Sequence, residues 1–266
     1  MKNIDLLKLF KFKESSKKIT VLTCYDATFS NTISDAKIDA ILVGDSLGNT
    51  IQGHETTVPV TIEDLIYHTK CVANGNNHCF IIADMPFMSY YEDNLAMENA
   101  KKLMQAGANM IKLEGGTNLL PLISKLNQHG IPVCAHIGLT PQHVNISGHK
   151  VQGKLEKDKQ EIKNTALALE EAGVKMLVIE CVPEDLAEDI TNSIKIPTIG
   201  IGAGPNTDGQ VLVLYDILGL FGKYNKKSFK FSKVFLDKEH PTISSAIEYY
   251  RDSVENRTFP AKENCF

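Results

Sequence analysis

The 266-residue sequence lacks several features that would place it in a large functional class. No apolar run approaches the roughly 20 residues needed to span a bilayer, so it reads as a chain without a membrane segment. Neither charge sign dominates: the formal net charge of -4 comes from interspersed acids and bases, which leaves no electrostatic footprint for nucleic acid or an anionic membrane. Its six cysteines (Cys24, Cys71, Cys79, Cys134, Cys181, Cys265) contain no C-x-x-C pair, and four sit within or beside apolar runs. They read as core residues of a protein kept in a reducing, cytoplasmic compartment. His143 and His149 follow His136 without an H-E-x-x-H or other zinc spacing, so a zinc site is not expected. There is no clear repeat, low-complexity tract or linker, and a single catalytic domain over residues 1–266 is the expected organisation.

Hydrophobic residues make up 43% of the chain and charged residues 23%, enough apolar material for a substantial core. Eight short apolar runs recur: ITVLTCYD (19–26), AILVGD (40–45), FIIADM (80–85), MIKLEG (110–115), VCAHIG (133–138), MLVIEC (176–181), TIGIGAG (198–204) and VLVLYD (211–216). Their near-continuous hydrophobicity suits parallel strands covered on both faces. Helical patterns over 62–73, 94–106, 118–129 and 161–172 separate several of them, followed by Gly75, Gly107, Gly130 and Gly173. Thr61 with Asp64 forms a weak capping box, and a helix is expected to start near Pro183. The pattern predicts a (β/α)8 TIM barrel with an N-terminal capping helix (MKNIDLLKLFKFKESSKK) and a C-terminal helical segment near 244–253. An open doubly wound sheet is the competing arrangement.

The polar residues favour the barrel. Asp26, Asp45, Asp84, Lys112, Glu114, His136, Glu180 and Asp216 all fall at or near the C-terminal ends of these runs, which in a barrel converge on one mouth. Asp45 and Asp84 there would suit Mg2+, which takes one or two protein carboxylates and leaves its other positions to water and substrate. A strand-end aspartate taken singly is more often a helix cap. Lys112 and Glu114 share parity in IKLEGG, so both point to one side of their strand. Lys112 is then paired with a neighbouring acid or with a carboxylate-bearing substrate. His136 is a buried structural histidine, a donor or a ligand. Glu180 follows MLVI, where reduced hydration suits a carboxylate to proton abstraction or to a structural pair. GIGAGPNTDGQ (200–210) has the look of a phosphate cradle but does not match G-x-x-x-x-G-K-[ST], and no nucleotide site is assigned.

The same residues resemble one family: ketopantoate hydroxymethyltransferase. The resemblance runs from about Lys18 to the end, through LTCYDATFS, VGDSLGNTIQGHETTVPVTIEDLIYHTK, IIADMPFMSY, AGANMIKLEGG, PVCAHIGLTPQHVN, KVQGK, ECVPEDLA, IPTIGIGAGPNTDGQVLV and FPAKENCF. It implies a barrel, Mg2+ dependence, and hydroxymethyl transfer from 5,10-methylenetetrahydrofolate to 3-methyl-2-oxobutanoate through a Mg2+-stabilised enolate. The product would be 2-dehydropantoate, on the route to pantothenate and coenzyme A. By the same resemblance Asp45 and Asp84 are metal ligands and substrate contacts, Glu114 supports the metal, Ser46 and Lys112 contact the keto acid, and Glu180 is the base. The implied partners are the keto acid, the folate and further copies of the chain, in a decamer built as a pentamer of dimers. Two stretches depart from the family pattern: NISGHKVQGK is about one residue short, and 221–235 carries the basic KYNKKSFKFSK. The nearest rival is the Mg2+-dependent barrel group of isocitrate lyase and phosphoenolpyruvate mutase, whose catalytic cysteine and phosphonate-handling loop are not found. A catalytically silent barrel would lack the lysine or the base, and both are present.

Overall fold

The computed structural model describes residues 3–148, 150–222 and 228–266; His149 and part of the basic stretch at 221–235 lie outside the described residues. Eight parallel strands, β1 (Ile19–Thr23), β2 (Ala40–Val43), β3 (Phe80–Asp84), β4 (Met110–Glu114), β5 (Val133–Gly138), β6 (Met176–Glu180), β7 (Thr198–Ile201) and β8 (Gly209–Leu212), close in sequence order into a barrel. Pairing of Val21 with Val211 closes the ring between β1 and β8, and so rules out the open sheet. Helices α1 (Leu6–Glu14), α2 (Ala27–Asp35), α3 (Leu47–Thr50), α4 (Ile62–Gly75), α5 (Asp93–Gln105), α6 (Leu120–Gln128), α7 (Val144–Ser147), α8 (Glu156–Glu171), α9 (Glu184–Ser193), α10 (Leu214–Ile217) and α11 (Ile243–Glu255) complete the chain.

Strand parity divides the core in two. Ile41, Ile81, Ile111, Ala135 and Ile179 face the helices, while Leu42, Ile82, Met110, Cys134 and Val178 fill the barrel. Alternate residues of a strand point to opposite faces, so every run of aliphatics feeds both cores at once. This is why the runs show no period-two polarity. Leu9 and Ile4 pack against the inner cluster, so the amphipathic N-terminal stretch closes the barrel floor as expected. At the seam, the Tyr250 hydroxyl of α11 lies 3.0 Å from the Val21 carbonyl and 2.9 Å from that of Gln210.

Local signals placed most helices correctly. The Thr61–Asp64 box forms in both directions, at 3.0 and 3.2 Å, and Gly107, Gly130 and Gly173 take positive φ after α5, α6 and α8. Helix α8 starts at Glu156, five residues before its apolar pattern, because its first turn is solvated and carries Glu156 and Asp158 at the positive end of the dipole. Pro183 precedes α9 as its N-cap instead of opening its first turn. Helix α2 was not anticipated; its sequence ATFSNTISD is short of strong helix formers, and its start depends on the Asp26 carboxylate accepting from Phe29 N–H at 2.9 Å. Strand β8 ends at Leu212, so the last part of VLVLYD turns into α10.

Between β7 and β8 the chain returns without a helix. Lys18 Nζ donates to the Pro205 carbonyl at 2.7 Å and also to that of Thr207, and Asp208 accepts from Thr198 N–H at 2.9 Å. The backbone of GIGAGPNTDGQ is thus engaged with the barrel's own side chains. Among the described residues no helix is long and apolar enough to cross a membrane. All six cysteines are free, five of them buried.

The floor-closing role of α1 is testable. Leu9→Ala should destabilise the protein by about 2–5 kcal/mol in chemical denaturation, since Leu9 is fully buried in the inner core. A loss within error of zero would show that α1 does not seal the barrel.

Candidate active site

Barrel register brings the polar residues together. Asp84 is opposite Lys112 across β3 and β4, Glu114 is opposite His136 across β4 and β5, and Glu180 is opposite Gly138 across β5 and β6. These inward positions continue the parity of the apolar interior, one step above Ile82, Met110, Cys134 and Val178. The site is therefore the layer where the barrel filling changes from aliphatic to ionised.

Lys112 is its centre. Its ammonium lies 2.8 Å from Asp84 Oδ1 and 3.4 Å from Glu114 Oε1, with only 3% of the residue exposed. Burial disfavours the charged amine, but the fields of Asp84, Glu114 and Asp45 outweigh it and hold Lys112 well above the usual lysine range. Glu114 Oε1 also meets His136 Nδ1 at 3.1 Å, while Oε2 accepts from Gln142 N–H at 2.9 Å. Burial alone would raise the Glu114 carboxyl; Lys112 and His136 reverse this and bring it down to about 2. The ring of His136 reaches on to Glu180, with Nε2 3.1 Å from Oε2. Burial disfavours the charged imidazole too, yet Glu114 and Glu180 lift it to about 9, so the two flanking acids favour the charged form of the ring.

Asp45 lies just past β2. Its backbone N–H donates to Asp84 Oδ2 at 2.9 Å, and its own Oδ2 accepts from Gln142 Nε2 at 2.9 Å. Neither Asp45 nor Asp84 caps a helix: Ser46 is the N-cap of α3 and Glu92 that of α5. Burial pushes the Asp45 carboxyl well above its ordinary range, and the charges of Asp84 and Glu114 push it further. Ser46 Oγ sits 2.8 Å from the Tyr25 hydroxyl, which is 2.9 Å from Thr23 Oγ1. A Cβ at residue 44 would fall 2.9 Å from Ser46 Oγ and 3.5 Å from Asp84 Oδ2, so the glycine in VGDS keeps this corner open.

Four acids, Asp45, Asp84, Glu114 and Glu180, face two bases, Lys112 and His136, in one buried layer. A cation bound there would relieve such an excess. Among the described residues no three His, Cys, Asp or Glu side chains close around a metal position. Asp45 and Asp84 offer a pair, with Glu114 saturated behind them by Lys112, His136 and Gln142. A carboxylate pair with open positions fits Mg2+ better than it fits a cation that demands a full protein cage.

Four residues that sequence reasoning passed over or misread stand out. Gln142 and Tyr90 are joined to the site, with the Tyr90 hydroxyl 2.7 Å from Gln142 Oε1 and 3.0 Å from the Glu114 carbonyl. Tyr90 comes from the turn after β3 and Gln142 from the short 3-10 turn Pro141–His143 after β5, both too short for any periodicity to announce them. Asp26 caps α2 and is not part of the cluster. Asp216 lies in α10, buried, and its carboxylate is met by no hydrogen bond or ion pair among the described residues. Burial alone raises it to about 6.

Residues 3–262 match the sequence profile of the ketopantoate hydroxymethyltransferase family. The chain is 51% identical over 267 residues to 3-methyl-2-oxobutanoate hydroxymethyltransferase of Shewanella sp. (strain MR-4), and 50% identical over 267 residues to that of Photorhabdus laumondii, each covering 100% of both chains. In fold it is similar to a phosphonopyruvate hydrolase (14% identity, TM-score 0.63, covering 82% of this chain and 84% of that one). It is also similar to a phosphoenolpyruvate phosphomutase from Streptomyces platensis (13% identity, TM-score 0.62, covering 81% and 83%).

Asp216 provides a pH test. A carboxyl whose folded-state pKa is raised stabilises the fold below its unfolded value and loses that contribution as pH climbs to about 6. Asp216→Asn should therefore be as stable as the parent near pH 4 and more stable by up to roughly 3 kcal/mol at pH 8. Equal denaturation midpoints at both pH values would show that the carboxylate is not desolvated.

Proposed function

The chain belongs to the ketopantoate hydroxymethyltransferase family, and from that premise we propose that it is a cytoplasmic, Mg2+-dependent 3-methyl-2-oxobutanoate hydroxymethyltransferase using 5,10-methylenetetrahydrofolate as its one-carbon donor. The observation that carries the reading is the polar layer: a buried lysine and a buried histidine set among four acids at the barrel mouth. A fold neighbour, phosphonopyruvate hydrolase, has been solved with oxalate and Mg2+; oxalate pairs a carboxylate with an adjacent oxygen as a 2-oxo acid does.

Asp45 and Asp84 would hold the cation, with Glu114 fixing Lys112 and His136 behind them. When bound there, Mg2+ supplies positive charge against the keto acid's carboxylate and against the negative charge that develops on its C2 oxygen. Lys112 adds a fixed cation on the same side, and Ser46 offers a hydroxyl to the keto acid. Glu180, 13% exposed at its side chain and steadied by His136, takes the C3 proton. The resulting enolate carbon forms one new C–C bond to the one-carbon unit, which leaves the folate nitrogens and takes its hydroxyl oxygen from water. Low exposure of the layer keeps these charges unscreened.

The same family reading includes assembly of the chain with copies of itself. A monomer in sedimentation velocity at micromolar concentration would reject that part of the reading.

In heavy water with Mg2+, the protein should exchange the C3 proton of 3-methyl-2-oxobutanoate and form 2-dehydropantoate once the folate is added; folded protein that does neither would sink the proposal. Glu180→Gln should still bind the keto acid but lose exchange by at least about 100-fold. Normal exchange in that variant would remove Glu180 as the base.

A further inference from the structure

Gln142 has been given no role so far, yet its polar groups are spent inside the site. Its amide nitrogen donates to Asp45 Oδ2 at 2.9 Å and to the Met85 carbonyl at 3.0 Å. Its Oε1 lies 2.7 Å from the Tyr90 hydroxyl, and its backbone N–H donates to Glu114 Oε2 at 2.9 Å. The residue is 3% exposed. A glutamine amide has two N–H donors at one end and an acceptor at the other. Both Asp45 Oδ2 and Met85 O are acceptors, and a flipped amide would set oxygen against oxygen at both, so its orientation is determined by its surroundings. One Asp45 oxygen is thereby committed, while Oδ1 carries no hydrogen bond among the described residues.

The backbone half of the residue does a second thing. Glu114 Oε2 is held by Gln142 N–H, Glu114 Oε1 meets Lys112 and His136, and His136 meets Glu180. The loop after β5 thus touches the carboxylate end of the layer through a side chain and the base end through the main chain. We infer that Gln142 is a positioning residue: its amide selects the Asp45 oxygen presented to a divalent cation, and its seat on Glu114 keeps that oxygen in register with the Lys112–His136–Glu180 array. The inference rests on the metal reading above and adds to it a residue that touches neither cation nor substrate. Partners that orient a metal's carboxylate are commonly worth 10–100-fold in affinity.

The test uses Mn2+ as probe, titrated into the full chain by calorimetry and by the electron paramagnetic resonance signal of the free ion, with neither keto acid nor folate present. Wild type should bind one Mn2+ per chain and Asp84→Ala should bind it far more weakly; if those two proteins behave alike, the metal reading itself falls. With that reading secure, Gln142→Leu, similar in volume but without polar atoms, should bind Mn2+ about 10–100-fold more weakly. Tyr90→Phe, which removes the hydrogen bond to Gln142 Oε1 and loosens the amide while leaving its two donor contacts in place, should weaken it by a smaller factor and add little in the double variant. A folded Gln142→Leu protein with wild-type Mn2+ affinity overturns the inference, as do fully additive losses in the double variant. If Gln142→Leu does not fold, Tyr90→Phe decides alone, and an unchanged affinity there overturns it.

Discussion

The site depends on one ammonium group buried at the top of the barrel filling. Lys112 sits between Asp84 and Glu114, with Asp45 near enough to add to the field that keeps it charged. Taking that charge out of water is costly, and it is offset only because two carboxylates on neighbouring positions meet it directly. The carboxylates depend on it in turn: without a cation at 112, three buried acids would crowd one another. Asp45 already shows the strain, with its carboxyl pushed upward by burial and then by its acidic neighbours.

That arrangement explains why the fold beneath it is so uniformly apolar. Ion pairs are geometrically exacting when dry, and a lysine stem needs a rigid floor to stand on. Below Lys112 the interior is filled by Val21, Leu42, Ile82, Cys134, Met176 and Val178, and α1 closes the far end with Leu9. Above it, the loops after β3 and β5 bring in Tyr90 and Gln142, whose hydrogen bonds tie the carboxylates to one another. The scaffold is a packed aliphatic column, and the chemistry is confined to the single layer where the column stops.

The relation to fold neighbours follows from the same geometry. Phosphonopyruvate hydrolase and phosphoenolpyruvate phosphomutase share the barrel at 13–14% identity, which speaks for the backbone plan alone. Loops and strand-end side chains give each barrel its chemistry, so family membership comes from the sequence match over residues 3–262.

The residues by themselves determined the barrel and much of its mouth, because both follow from local rules. Aliphatic runs buried on two faces, glycines after helices and strand-end acids are encoded within a few positions of one another. Shared parity was enough to put Lys112 and Glu114 on the same side of β4, as IKLEGG suggested. What the tertiary structure alone decided is which partner each charge meets. Asp84 opposes Lys112 through register, His136 bridges Glu114 to Glu180 across two strands, and Gln142 reaches Asp45 over 97 positions of sequence. It also separated strand-end acids that look alike in sequence: Asp26 caps a helix, Asp216 is buried apart in α10, and Asp45 and Asp84 join the cluster. Such pairings are set by closure of the ring, which brings side chains from distant strand ends within contact of one another, and no pattern along one strand carries that information.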